Sequence, residues 1–212
     1  DVEDFLFYGV LGAIIGGRLG YMFFYGTNQL LMDPLSIIRV WEGGLSFHGG
    51  FLGVLTSFFI FSKKLKINFF DLADHIALAF PIGLGLVRIG NFLGGELIGR
   101  PTDLPWGMVF WSDSLQLVRH PSQLYQAFFE GLILFVILNW ITKKPRPRMF
   151  ISGMFLTLYG SFRIFTESFR MPDAHIGFDF LDIITRGQLL SIPMVLAGLI
   201  LIFLSRKKKN ET

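Results

Sequence analysis

A chain of 212 residues that is 52% hydrophobic, with 25 phenylalanines and a mean hydropathy of +0.55, does not have the composition of a water-soluble domain; its solvent is lipid. The formal charge of +3 understates the pattern, because the basic residues are clustered. There is no cysteine, which excludes disulfides, thiolate metal sites and a thiol nucleophile on the protein itself, so any thiol chemistry must use a thiol brought by a substrate.

In chain order, the first apolar segment is Phe5–Tyr25, which holds Arg18, followed by a connection over Gly26–Gly43. Gly43–Ser62 is long enough to span a bilayer without any Asp, Glu, Lys or Arg, and it ends in Lys63-Lys64-Leu-Lys66. Leu72–Phe92 carries Asp74 and Arg88, and gives way to a long connection, Leu93–Pro121. Ser122–Thr142 carries Glu130 and ends in Lys143-Lys-Pro-Arg-Pro-Arg148. Met149–Ser168 carries Arg163 and Glu167, then Phe169–Arg186 connects to the charge-free Gly187–Ser205 and the basic tail 206–212. This predicts an all-α polytopic membrane protein of about six transmembrane helices, a single integral-membrane domain over residues 1–212. A buried soluble bundle would need polar helix faces that these segments lack.

Orientation follows from charge. The basic clusters after the second, fourth and sixth segments belong in the cytoplasm by the positive-inside rule, which also puts the C-terminus there. The intervening connections then face outward, with 93–121 as the principal outer loop region of a small periplasmic cap. They hold turn formers such as Asp33-Pro34 and Met171-Pro-Asp173, and Trp41, Trp106 and Trp111 can sit at headgroup level. No internal repeat of the kind common in transporters is evident.

The intramembrane polar groups agree in depth. At about 1.5 Å per residue, Arg88 lies roughly 25 Å above Asp71, Arg163 about 22 Å above Arg148, His48 about 22 Å from Lys63 and Arg18 about 21 Å above Asp4. Arginine costs about 2.5–3.5 kcal/mol at a helix centre on insertion scales. Three arginines and a histidine in the outer third of the membrane therefore point to a shared chamber rather than to scattered snorkelling. Tyr159, Arg163 and Glu167 recur at i, i+4, i+8 on one face, so Glu167 can pair with Arg163 and aim its guanidinium. A plain intrahelical ion pair would account for those two residues but not for Tyr159. His48, between Phe47 and Gly49-Gly50, would more often be an interface residue or helix cap than a base; Ser46 and the flanking glycines leave the backbone there open to a ligand. His75 reads as an ordinary helix-end residue, and His175 has no supporting neighbours. The small-residue pairs Gly12/Gly16, Gly16/Gly20 and Gly49/Gly53 are explained by tight helix packing in lipid. Gly94-Gly95 and Gly99, among polar residues, read as points of close approach to a headgroup.

Four motifs stand in order: Gly44-Leu-Ser-Phe-His-Gly-Gly50, Arg88-Ile-Gly-Asn-Phe-Leu-Gly-Gly-Glu-Leu-Ile-Gly-Arg-Pro-Thr102, Arg119-His-Pro-Ser-Gln-Leu-Tyr125 and Tyr159-Gly-Ser-Phe-Arg-Ile-Phe-Thr-Glu167. Together, and over essentially the whole chain, they resemble bacterial prolipoprotein diacylglyceryl transferases. The resemblance implies transfer of the diacylglyceryl group of phosphatidylglycerol to the lipobox cysteine of a preprolipoprotein signal peptide, at the outer face of the bacterial inner membrane. It implies one further N-terminal helix beyond this sequence, and no nucleic-acid partner. No metal site is expected, and no cofactor is needed because the lipid phosphate is already a leaving group.

On this reading Arg88, Asn91, Glu96 and Gly99 bind the lipid head. Arginine suits the phosphate because its planar fork holds two oxygens and stays charged. His48, Arg163, Glu167 and Tyr159 form the catalytic group: His48 takes the thiol proton or donates a hydrogen bond, and Arg163 stabilises the departing glycerol phosphate or the thiolate. Arg18 and His120 are secondary candidates. The rival classes are an anionic-solute transporter and a noncatalytic lipid-binding membrane protein. The single depth and the missing repeat weigh against the first, and His48 weighs against the second.

Overall fold

The computed structural model describes residues 2–171 and 185–210; within its helices the side chains of 47, 48, 186 and 208–210 are not described. The chain is mostly helical, about 72%, with a single short hairpin among the described residues. It divides into two compact units, residues 1–72 and 73–212.

The first unit is built on α1 (Val2–Phe24) and α3 (Phe47–Lys64), joined through α2 (Thr27–Met32) and two 3₁₀ turns (Pro34–Ile38 and Val40–Glu42). In lipid there is little hydrophobic drive between helices, so close backbone approach must supply the packing. Gly12, Gly16 and Gly20 of α1 meet Gly49 and Gly53 of α3 so closely that a Cβ at Gly16 would stand 2.7 Å from the Gly53 Cα, and one at Gly20 2.8 Å from the Gly49 Cα. The glycine pairs predicted from spacing are therefore packing contacts.

The predicted helix over Gly43–Ser62 starts later than expected, at Phe47. Gly43 and Gly44 have φ of 81° and 74°, conformations outside the helix, and the chain turns over the Tyr21 ring at Gly44. Ser46 then caps α3, its hydroxyl accepting from the Gly49 N–H at 3.4 Å while its own N–H donates to the Gly17 carbonyl at 2.8 Å.

The second unit contains most of α4 (Phe69–Leu93), the hairpin β1 (Met108–Val109) and β2 (Val118–Arg119), a helix over Ser122–Ile141, α7 (Phe150–Glu167) and α8 (Arg186–Asn210). The Ser122–Ile141 helix is α5 (Ser122–Gln126), a π-helical stretch (Ala127–Ile133) and α6 (Leu134–Ile141) in succession. Each segment expected to be a membrane helix contains a helix. Among the described residues α1, α4, Ser122–Ile141 and Gly187–Lys207 are long and apolar enough to cross a membrane; α3 and α7, of 18 residues each, are not among these spans. Only 11% of the apolar window of α4 is buried within the chain, so most of that surface requires lipid rather than water.

Two polar details fix helix starts, and the first explains a charge that its segment tolerates. Asp74 on α4 caps α7: its carboxylate accepts from the Met149 N–H at 2.9 Å, the Ser152 N–H at 2.8 Å and the Ser152 hydroxyl at 2.5 Å. A carboxylate there also complements the positive end of the α7 dipole. Thr185 and Gln188 form a reciprocal capping box at the start of α8, each backbone N–H donating to the other's side chain at 3.1 and 3.3 Å. The apolar core of this unit, Ala77, Leu134, Leu138, Phe150 and Ile151, lies where α4, α6 and α7 meet.

Candidate functional site

The site of the second unit begins at a contact between backbones. Gly85 of α4 faces Gly131 of the π-helical stretch, where a Cβ on Gly85 would lie 3.3 Å from the Gly131 Cα. That approach lets the side chains just beyond it meet: Arg88 Nε lies 3.8 Å from Glu130 Oε2. Glu130 is fully buried and also stands 3.7 Å from Arg163 Nη1 on α7. Its other firm partner is Thr166, whose hydroxyl donates to Oε1 at 2.7 Å.

Arg163 Nη2 pairs with Glu167 Oε2 at 2.8 Å, the i, i+4 pair expected from spacing. Glu167 is shared, because Arg170 Nη1 lies 3.3 Å from its Oε1. Gly187 at the start of α8 closes this corner: a Cβ there would stand 2.9 Å from the Glu167 carboxyl carbon, so only glycine leaves the carboxylate where both arginines hold it. Tyr159 continues the stripe, with its hydroxyl in hydrogen-bonding reach of Arg88 and its ring stacked on Phe155 at 5.7 Å.

Asn91 and Glu96 extend from the same arginine. Arg88 Nη1 donates to Asn91 Oδ1 at 3.5 Å, and Asn91 Nδ2 donates to Glu96 Oε2 at 3.0 Å. The structure thus brings Arg88, Asn91, Glu96, Tyr159, Arg163 and Glu167 into one chain of contacts. Among the described residues, the three guanidinium groups of Arg88, Arg163 and Arg170 and the two carboxylates of Glu130 and Glu167 leave its buried part with one net positive charge. Distances of 3.7–3.8 Å are ion pairs without hydrogen bonds. Among the described residues Arg163 Nη1 and Glu130 Oε2 are both buried and without a hydrogen bond, so Arg163 keeps a donor for an anion.

The connection between α4 and α5 is fixed by a buried ion pair that sequence alone does not single out. Arg119 donates to Asp113 through Nε at 2.7 Å and Nη2 at 3.0 Å, a two-point clamp across the hairpin. The Arg119 hydrogen bonds, with help from the Leu115 and Leu117 N–H groups, hold the Asp113 carboxyl at about 2. His120 sits between the rings of Tyr125 and Phe169, with Nδ1 3.2 Å from the Tyr125 hydroxyl, and burial lowers its pKa. The close neighbour of Gly99 is His120 itself, whose Cβ a side chain at 99 would meet at 2.7 Å, so packing within the protein already requires that glycine. At Gly95, φ is 66° and a Cβ would meet the Ser112 hydroxyl at 2.8 Å.

The remaining candidates belong to the first unit. Arg18 is buried and donates to the backbone carbonyls of Ser36 at 2.5 Å, Ile37 and Gly44 at 3.4 Å, and Gly43. All these acceptors lie in the connection between α2 and α3, so Arg18 holds that connection in shape. His48 lies on the first turn of α3, but its side chain is outside the described set, as are residues Asp173 and His175. Sequence reasoning passed over Glu130, Thr166, Arg170 and Gly187. It also passed over the stripe Gln123, Gln126, Glu130, whose spacing of three and four in an apolar helix was a legible sign of one polar face.

The family model for prolipoprotein diacylglyceryl transferases matches residues 1–204. The chain belongs to this family. Among similar proteins, the phosphatidylglycerol–prolipoprotein diacylglyceryl transferase of Teredinibacter turnerae is 54% identical over 202 residues, 95% of this chain and 70% of the relative. Those of Pseudomonas syringae pv. syringae and Acinetobacter baumannii are 51% identical over 209 residues and 50% over 211, each covering 98% of this chain and 77% and 78% of the relative. The Arg88, Arg163 and Glu167 cluster is therefore a constellation within a diacylglyceryl transferase family member, in a chain rich in apolar helices.

Proposed function

We propose that this protein transfers the diacylglyceryl group of phosphatidylglycerol to the lipobox cysteine of a preprolipoprotein. The observation that carries the reading is the pair Arg88 and Arg163, each held to the buried Glu130 only at 3.7–3.8 Å, in a cluster that Glu167 and Arg170 complete. Among the described residues it has a net positive charge and Arg163 Nη1 has no hydrogen bond, which suits a departing glycerol phosphate. Three of its residues, Arg88, Arg163 and Glu167, stand in the motifs that carry the family resemblance.

In the reaction the substrate thiolate attacks the glyceryl carbon that bears the phosphate. A C–S bond forms, the C–O bond to phosphate breaks, and glycerol phosphate leaves with the electron pair. A free thiol has a pKa near 8.5, so its proton needs an acceptor or a positive field. His48 is assigned that proton by its motif and by an imidazole's ability to be neutral near pH 7. Arg88, with Asn91 and Glu96, binds the phosphodiester, while Gly99 shapes the loop above. Arg163, aimed by Glu167 and by Tyr159, meets the charge growing on the leaving oxygen; donors fixed in advance are worth most where water is excluded. Arg18 and His120 act by holding loops.

The chain is read as a multi-pass protein of the bacterial inner membrane with about six spans, a periplasmic cap, an outward-facing site and a cytoplasmic C-terminus. The test uses radiolabelled phosphatidylglycerol and a lipobox peptide, with a cysteine-to-serine peptide as control. Label should move to the cysteine peptide with the wild type and not with Arg88→Ala. Arg88→Lys should rescue poorly, since a point charge does not reproduce the fork. Label that crosses vesicles without joining peptide would favour a transporter.

A further inference from the structure

Gln126 is fully buried at the last turn of α5, and among the described residues neither its Nε2 nor its Oε1 has a hydrogen-bond partner. A whole amide left unpaired is rare in a native interior, and lipid offers it no water. Its surroundings are specific. One turn earlier, Gln123 is also fully buried and donates to the Glu96 carbonyl at 2.5 Å, with its own Oε1 unpaired. The Ser122 hydroxyl donates to the Leu97 carbonyl at 3.0 Å, so the start of α5 is tied to the loop that carries Glu96. One turn later stands Glu130, with Oε2 unbonded between the arginines. Gln126 thus lies between the Glu96 loop and the cationic cluster, where the π-helical stretch begins, and such turns are frequent at functional sites.

We propose that Gln126 reads the terminal hydroxyls of the lipid head, accepting a hydrogen bond from one glycerol hydroxyl and donating to another. This rests on the function proposed above and names the residue that would make that site selective for phosphatidylglycerol. The chemistry of an amide fits a neutral diol, because it offers donors and an acceptor together. An ammonium head could use only the acceptor, and Arg88, Arg163 and Arg170 would repel it. Sites built around substrate hydroxyls reject analogues that lack them, because the buried partner is left unpaired.

The experiment compares phosphatidylglycerol with phosphatidylpropanol, which keeps the phosphodiester and lacks both hydroxyls, using the full chain in detergent and a lipobox peptide. The readout is the ratio of kcat/KM for the two lipids within each protein. The wild type should favour phosphatidylglycerol, and Gln126→Met should lower the ratio by about tenfold or more through the lipid KM. Gln126→Glu, which keeps an acceptor of similar shape, should fall between them. It also serves as the deciding variant if Gln126→Met does not fold. An unchanged ratio in the folded variants overturns the assignment, as does a change confined to the peptide KM, which would make the peptide backbone the partner of Gln126. A wild type that transfers nothing from phosphatidylglycerol would instead overturn the proposed function, and this assignment with it.

Discussion

Removing the charge of Glu130 while keeping its shape is the sharpest test of the cluster. At 3.7–3.8 Å, each arginine attracts the carboxylate by about 4 kcal/mol at an effective dielectric near 20. Desolvation offsets much of that in the intact trio, but breaking a buried pair typically costs about 3–5 kcal/mol, because the surviving charge has no partner. Glu130→Gln keeps an oxygen for the Thr166 hydroxyl, so the loss isolates charge from hydrogen bonding. The variant should unfold at lower temperature in a zwitterionic detergent. Phosphatidylglycerol should then raise its midpoint more than it raises that of the wild type, because the lipid phosphate supplies the missing negative charge. Transfer should fall on the order of 100-fold, the scale of a misaimed positioning group. Thermal unfolding with and without anionic lipid, beside the transfer assay, measures all three effects. A wild-type midpoint together with a wild-type response to the lipid would show that Glu130 is not the counter-ion of Arg88 and Arg163.

Arg163 and Glu167 should act as one unit: the double alanine variant should be little slower than Arg163→Ala alone, and strictly multiplicative losses would mean independent roles. His48→Gln should keep phosphatidylglycerol binding and lose transfer, since an amide can donate but cannot take the thiol proton; near wild-type turnover would make His48 structural. Asp113, held at about 2, lies below the ordinary carboxylate value, so its stabilising contribution is complete above about pH 4 and is lost as pH falls through about 2. Tryptophan fluorescence of Trp106 and Trp111 should therefore report loosening of the loop in that acid window. Asp113→Asn should already show the loosened state at neutral pH, and an acid profile identical in the two proteins would remove the clamp from the account.

What was legible in the sequence was what is local along a helix. Arg163–Glu167 follows from four residues of spacing, the α1–α3 glycine contacts follow from small residues one turn apart, and the start of α5 follows from Pro121-Ser122. The start of α3 is not legible in the sequence because charge-free composition runs through Gly43 and Gly44, while their positive φ depends on a loop that Arg18 and Tyr21 organise from another helix. Gly99 reads toward a ligand in the sequence, and the structure adds a neighbour that spacing does not reveal, His120 from beyond the hairpin. Glu130 looked like a tolerated charge for the same reason. Its partners come from α4 and α7, and nothing in its own helix names them. What selects them is the Gly85–Gly131 approach, since a side chain at either position would push the helices apart and carry Arg88 beyond reach of the carboxylate. The electrostatics of the candidate site thus depend on two glycines that carry no charge at all.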